Sequence, residues 1–274
     1  MLVDVDAAVL ENRRLSEHYS VLVLDAPPIA AAVQPGQFVM LKPSRGTDPL
    51  LRRPFSVFEV LRAEDGRPRA ISILNKRTGV GTALLYEAEP GATIACLGPL
   101  GRPFDPVPPP AEAWMVAGGV GLAPFITLAE ALRTLGTPTT LFYGARTAAE
   151  LYYAEAFEER GVRVVLTTED GTRGVRGRVT DPLAHALAAA PAGAPVKLYV
   201  CGPTPMMRAV AHLAADRGRP CDVSLEQVMG CGMGGCYSCV VLTRAAGRPP
   251  HYVRSCIEGP VFDARRIVWD ALEH

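Results

Sequence analysis

Short apolar runs dominate the first hundred residues. They fall at 19–24, 38–41, 55–60, 70–74 and 93–97, each bounded by Gly- or Pro-containing breaks. Strand-length runs with turns and little helical periodicity predict an antiparallel β-barrel over residues 1–105. The pattern then changes. Residues 114–117 form an apolar run that enters Gly118-Gly119-Val120-Gly121, and an amphipathic stretch follows at 122–135. Strand-like runs recur at 139–143, 162–166 and 196–200, and 204–215 is the clearest later helix. Strand, turn and helix in repetition predict a parallel α/β sheet over residues 106–218. Residues 219–274 are left as a small third module. Pro106-Val107-Pro108-Pro109-Pro110 reads as the linker between the first two units, and Gly218-Arg219-Pro220 as a second boundary. The expected fold class is thus multi-domain, α/β plus β.

Composition narrows the function classes. The chain has 274 residues, a formal net charge of +0 and 49% hydrophobic residues, enough for two sizeable cores. Its Lys and Arg are scattered, which argues against a nucleic-acid groove. The apolar stretch at 113–129 is shorter than the roughly 20 residues of a membrane span and is broken by glycines and Pro124. No membrane span is expected. The start, Met1-Leu2-Val3-Asp4-Val5-Asp6, lacks a signal-peptide pattern, so a reducing cytoplasm is expected, with thiols rather than disulfides.

Chemistry concentrates near the C-terminus. Cys231, Cys236 and Cys239 are spaced C-x4-C-x2-C, and Cys256 follows after sixteen intervening residues. The first three sit in the Gly-rich run Gly230-Cys231-Gly232-Met233-Gly234-Gly235-Cys236-Tyr237-Ser238-Cys239. This is the ligand spacing of a plant-type [2Fe–2S] centre, and the glycines let backbone N–H groups approach the sulfurs closely. The competing reading is structural zinc, which usually takes two separated ligand pairs. Cys96 reads as a small core residue, and Cys221 lies close to the cysteine set in sequence but outside its spacing.

Two weaker signals lie in the first segment. Arg53-Pro54-Phe55-Ser56 sets a guanidinium and a hydroxyl at a strand start, a combination suited to phosphate. Thr78-Gly79-Val80-Gly81-Thr82 leads into a helical run and could turn N–H groups toward a diphosphate. In the α/β segment the ends of strands carry Gly118, Gly119 and Gly121, then Glu169-Asp170, then Cys201-Gly202-Pro203, where ligands of such sheets bind.

Arg-Pro-aromatic-Ser, the GGVGLAP turn with its later Cys-Gly-Pro, and the cysteine set resemble, in this order, the ferredoxin–NADP reductase superfamily. A C-terminal cluster module, entered by Ser224-Leu225-Glu226 and left by Gly259-Pro260, is similar to one subgroup, the electron-transfer subunits of type B dihydroorotate dehydrogenase. The resemblance implies FAD on Arg53, Pro54, Phe55 and Ser56, on Leu74, Asn75 and Lys76, and on Gly81 and Thr82. It implies NAD on Gly118, Gly119, Gly121, Cys201, Gly202 and Pro203, with Cys201 beside the nicotinamide. Metal ligands would be Cys231, Cys236, Cys239 and Cys256. Glu169 and Asp170 could meet a ribose and favour NAD over NADP. The implied activity is an NAD-linked FAD/[2Fe–2S] oxidoreductase subunit of pyrimidine biosynthesis. Its implied partner, in a hetero-oligomer, is the FMN-bearing catalytic subunit of dihydroorotate dehydrogenase or another redox flavoprotein. Related subunits serve sulfide dehydrogenases and NADH-dependent ferredoxin:NADP oxidoreductases. A zinc-stabilised binding module is the reading from a different class.

Overall fold

The computed structural model describes residues 2–245 and 247–272. Seven strands build the first sheet: β1 (Val3–Arg14), β2 (Tyr19–Asp25), β3 (Phe38–Lys42), β4 (Arg53–Ser56), β5 (Glu59–Arg62), β6 (Pro68–Lys76) and β7 (Thr93–Leu100). They run antiparallel in the order β4-β3-β7-β1-β2-β6-β5. The two edge strands are joined by only Val57 and Phe58. The Val57 N–H bonds to Gln37 beside β3 and the Phe58 N–H to Ser72 on β6. Consecutive residues thus grip opposite ends of the sheet, which forces it to curl into a half-barrel. Its interior is filled from alternate positions, among them Leu22, Leu24, Val39, Leu41, Ile71 and Ile73. Helices α1 (Pro27–Ala32) and α2 (Val80–Glu87) pack against it.

The second sheet contains β8 (Glu112–Gly118), β9 (Thr139–Ala145), β10 (Arg163–Thr168), β11 (Val175–Arg176), β12 (Val196–Cys201) and β13 (Cys221–Ser224). Helices α3 (Phe125–Leu135), α4 (Ala154–Glu158), α5 (Thr180–Ala189) and α6 (Thr204–Asp216) lie between the strands in sequence. The order is β11-β10-β9-β8-β12-β13, all parallel. The chain moves outward from β8 to β11 and then returns to the other side of β8. The switch point therefore falls between β8 and β12, where an open α/β sheet forms its crevice.

Three details differ from the sequence expectations, each for a local reason. Helix α3 starts at Phe125, not at residue 122, because Gly119–Leu122 forms a 3-10 turn and Pro124 has no N–H to continue a ladder. The Pro-rich linker is strapped down. The buried Tyr199 hydroxyl donates to the Asp105 carbonyl at 2.8 Å and accepts from the Val107 N–H at 3.0 Å. The α/β sheet also continues beyond residue 218. β13 adds a parallel strand, and β16 (Val261–Asp263) returns antiparallel beside it.

Between β13 and β16 the chain makes one excursion. It carries the cysteine loop, the hairpin β14 (Val240–Ala245) and β15 (Arg248–Arg254), and the short helix α7 (Ser255–Glu258). The long gap before Cys256 is this hairpin. Val241, Phe262, Ile267 and Trp269 share one core with α6 and β12, so the excursion is anchored in the α/β sheet. Among the described residues no helix is long and apolar enough to cross a membrane.

Half-barrel and α/β sheet meet through aromatic and charged contacts. Phe58 meets Tyr153 edge-on, and Tyr19 meets Tyr152 at a tilt, each with 4.9 Å between centroids. The Arg160 guanidinium pairs with Glu59 of β5 at 2.6 Å and Glu130 of α3 at 3.3 Å. Phe58 is 0% exposed, so Phe58→Ala should cost about 3–5 kcal/mol of unfolding free energy. Urea denaturation measures it; a loss below about 1 kcal/mol would mean that this joint is not part of the cooperative core.

Candidate functional site

Two sites emerge, a cleft at the switch point and the cysteine loop. The cleft has a volume of about 760 Å³ and lies between the two sheets, within the range of ligand sites. Gly118, Gly119, Gly202 and Pro203 line it from the ends of β8 and β12, while Tyr19 and Lys76 close it from the half-barrel. Gly121 and Cys201 sit beneath the floor. A Cβ at Gly121 would stand 2.2 Å from the Cys201 carbonyl oxygen, so only glycine lets these two strand ends close together. Cys201 is buried, and loss of solvent raises its pKa, so it is a neutral thiol under the floor, not a cleft-lining group.

Charged groups ring the cleft. Glu169 and Arg178 line it. Arg146 also lines it but is held by Glu150 at 2.7 Å. Asp170 is turned away into a local loop, taking the Thr172 N–H at 3.0 Å and hydroxyl at 2.6 Å. Glu226 stands at the cleft wall, open to its solvent but with protein on most sides. Burial raises its pKa and Lys76 opposes that rise. Tyr19 and Met206 carried no signal of this role in sequence, because one opens a strand and the other belongs to a helix. Glu226 was visible only as the last residue before the cysteine loop.

The first-sheet residues converge beside the cleft. Arg53 opens β4, and its guanidinium donates to the carbonyls of Leu51 at 3.0 Å and Arg52 at 3.2 Å. A Cβ on Gly81 would lie 3.3 Å from the Arg53 Cγ and Nε, so Gly81 admits the Arg53 side chain at the start of α2. Asn75 donates to the Thr82 carbonyl at 3.0 Å, which joins β6 to the same turn. Its Oδ1 is buried with no protein partner, an acceptor that a bound donor would satisfy. Thr82 caps the turn: its hydroxyl accepts from the Thr78 N–H at 2.9 Å and the Gly79 N–H at 3.0 Å. Pro54, Phe55 and Ser56 follow Arg53 along β4, half-buried. Leu74 points elsewhere, into the core shared with Val21 and Phe58.

The cysteines stand as two pairs. Cys236 is exposed and hydrogen-bonds with Ser238 at 3.3 Å, and the nearby Cys231 helps to lower its pKa. Cys239 and Cys256 are buried together; the Cys256 N–H meets the Cys239 sulfur at 3.5 Å. The N–H groups of Met233 and Gly235 point at the Cys231 sulfur at 3.4 and 3.3 Å. Paired thiols with N–H donors to sulfur fit a two-iron cluster with two thiolates on each iron. Among the described residues no three His, Cys, Asp or Glu side chains gather for a single ion.

The loop is seated on the half-barrel. A Cβ on Gly232, which has φ +72°, would lie 2.6 Å from the Met40 Cγ and 3.4 Å from a Leu100 methyl. Cys239 and Cys256 share an apolar cluster with Phe38, Met40, Leu97, Leu100 and Met229. Met40 is the register partner of Pro54. The buried thiol pair is thus separated from the Arg53–Ser56 strand by a single strand, β3.

Comparison with known proteins finds family models over the two segments that carry these sites. Residues 226–268 match the model of the iron–sulfur cluster binding domain of dihydroorotate dehydrogenase B, and residues 115–212 match an oxidoreductase NAD-binding domain. The dihydroorotate dehydrogenase B (NAD(+)) electron transfer subunit of Geobacillus kaustophilus is 38% identical, covering 95% of this chain and 96% of the relative. That of Desulforamulus reducens is 35% identical over 97% and 98%. A solved NADH-dependent reduced ferredoxin–NADP oxidoreductase superposes with a TM-score of 0.84 at 28% identity, covering 98% of this chain and 91% of that one. The ferredoxin NADP+ reductase of Neisseria gonorrhoeae, solved with FAD and NADP, shares the fold at 20% identity and a TM-score of 0.63, over 79% of this chain and 92% of that one.

The thiols should differ in reactivity once the protein is freed of metal. Hydrogen bonds from Ser238, then Cys231, lower the Cys236 pKa to about 6. Burial raises Cys96 to about 12 and also raises Cys201 and Cys221. Iodoacetamide labelling of Cys236 should rise through pH about 6 and then level off, as its thiolate fraction saturates. Cys96, Cys201 and Cys221 should label only after unfolding. Labelling of Cys236 that keeps rising to pH 9 would contradict the assignment.

Proposed function

The chain belongs to the family of dihydroorotate dehydrogenase B electron transfer subunits, and we propose that it passes electrons between a dihydroorotate-oxidising flavoprotein and NAD+ through a [2Fe–2S] cluster and FAD. One observation carries this reading. The cysteine loop presses on β3, which pairs along one edge with the Arg53–Ser56 strand, and the cleft is lined by Lys76, next to Asn75, and by Glu226 at the entry to the loop. Three binding places that a relay would need are thus packed side by side. FAD, when bound, exchanges electrons in pairs or singly, and the cluster singly, so the two join a hydride carrier to a one-electron chain.

Each part has an assigned holder. Arg53, Pro54, Phe55 and Ser56, with Asn75, Gly81 and Thr82, take FAD; Arg53 supplies charge for phosphate. Lys76 belongs to both sites, since it reaches into the cleft. Gly118, Gly119, Gly202 and Pro203 seat the nicotinamide nucleotide at the switch point, with Gly121 and Cys201 supporting them from below. Glu169, not Asp170, is the carboxylate available to a ribose. Cys231 and Cys236 would hold one iron of the cluster, and Cys239 and Cys256 the other. The units that result, at 1–105, 106–218 and 219–274, share strands at their last boundary.

The partner is proposed to be an FMN-bearing catalytic subunit that oxidises dihydroorotate, in a reducing cytoplasm that suits seven unpaired cysteines. A second reading keeps the cofactors and changes the partner. It rests on the close superposition with the NADH-dependent ferredoxin–NADP oxidoreductase.

Anaerobic purification of the tagged chain with its partner, followed by dihydroorotate and NAD+, should yield NADH. Cys236→Ser should lose iron and acid-labile sulfide, keep FAD, and stop that transfer. NADH formation at the normal rate by a cluster-free variant would refute the relay. Co-purification with a different redox protein would favour the second reading.

Arg53→Ala removes charge-assisted bonds of about 1.5–3 kcal/mol. FAD binding should weaken about 10- to 100-fold, read by flavin fluorescence on titration. Unchanged affinity would move the phosphate site away from β4.

A further inference from the structure

One side chain bonds to the cysteine loop on both sides of Cys236. Arg254 ends β15, two residues before Cys256. Its Nη1 donates to the Gly234 carbonyl oxygen at 2.8 Å. That carbonyl belongs to the same peptide unit as the Gly235 N–H, which donates to the Cys231 sulfur at 3.3 Å. The same guanidinium lies over the Tyr237 ring, 5.0 Å from its centroid. Tyr237 stands between Cys236 and Cys239 at φ +58°, a conformation that is uncommon for a bulky residue and needs outside support. Arg254 therefore holds the loop before Cys236 through Gly234 and the loop after it through Tyr237, and it is joined through the chain to Cys256.

We propose that Arg254 is the positioning residue of the cluster loop and raises the electron affinity of the cluster through the Gly234–Gly235 peptide. The physical steps are few. A cation donating to a carbonyl polarises the peptide and strengthens its N–H as a donor, here to the Cys231 sulfur. Hydrogen bonds to ligand sulfurs favour the reduced, more negative state of a cluster. Only a planar, delocalised cation can both donate in its plane and stack on Tyr237 with its face.

This inference rests on the [2Fe–2S] reading above, and its test separates the two. The holoprotein and its Arg254→Lys and Arg254→Gln variants are purified anaerobically, and each cluster is titrated with its reduced EPR signal as the readout. Gln keeps an N–H donor near Gly234 but removes the charge. It should lower the electron affinity about tenfold, a fall of about 59 mV for a one-electron couple. Lys keeps the charge and should hold the potential close to that of the wild type. An unchanged potential in the Gln variant overturns the proposal, as does an equal fall in both variants. Loss of the cluster from both variants alike also overturns it, since Arg254 would then be a structural clamp whose charge sets nothing. A wild-type protein without acid-labile sulfide would instead overturn the cluster reading itself.

Discussion

Everything about this molecule depends on the seat of the cysteine loop against the half-barrel wall. Gly232 lies against Met40 and Leu100, at a distance no side chain would permit. Backbone reinforces the contact. The Arg102 N–H donates to the Gly259 carbonyl at 2.6 Å, so the end of β7 is stitched to the residues that follow Cys256. The excursion is fixed a second time from the other side, where β16 pairs with β13 of the parallel sheet. A single segment is thus bonded to both sheets. It cannot swing as a tethered domain would, and the distance between the cysteine loop and the cleft is set by the core packing of the whole chain. For a relay of single electrons this rigidity is the useful property, because transfer needs a fixed, short separation, not a reactive side chain.

Where the signal was periodic, the sequence was informative. Half-barrel strands and α/β elements were legible because alternation and Gly/Pro breaks are local properties. The cysteine pattern stood out for a different reason: three thiols in a glycine-rich loop, with a fourth beyond it, have few other uses. What escaped was long-range. Nothing in the residues near Gly218 tells that β13 joins the parallel sheet, since that depends on pairing Val223 with Val200, more than twenty positions earlier. The proline run looked like a loose tether because local composition shows no Tyr199 waiting to hold it. Gly121 illustrates the limit well. Its sequence context allowed either a dinucleotide phosphate or a packing turn, and only the fold shows that its missing Cβ lets β8 and β12 approach. The nucleotide would meet Gly118 and Gly119, which stand on the surface that Gly121 makes possible.

The two thiol pairs are unlike, and the difference gives the relay a direction in space. Cys239 and Cys256 are buried among Met40, Leu97 and Leu100, facing β3 and the strand of Arg53. Cys231 and Cys236 face outward, beside the exposed Met233, Tyr237 and Ile257. Hydrogen bonds divide in the same way. Those from Met233, Gly235 and Ser238 fall on the outer pair, against the longer contact of the Cys256 N–H with Cys239 on the inner pair, so negative charge is better supported outside. The inner pair has apolar neighbours, which disfavour charge. Arg254 deepens that asymmetry, because its charge acts through the peptide that bonds Cys231. Polarity of this kind needs no moving part. It follows from which thiols the fold buries and which it leaves beside N–H groups, and that choice was made when β16 closed the excursion against β13.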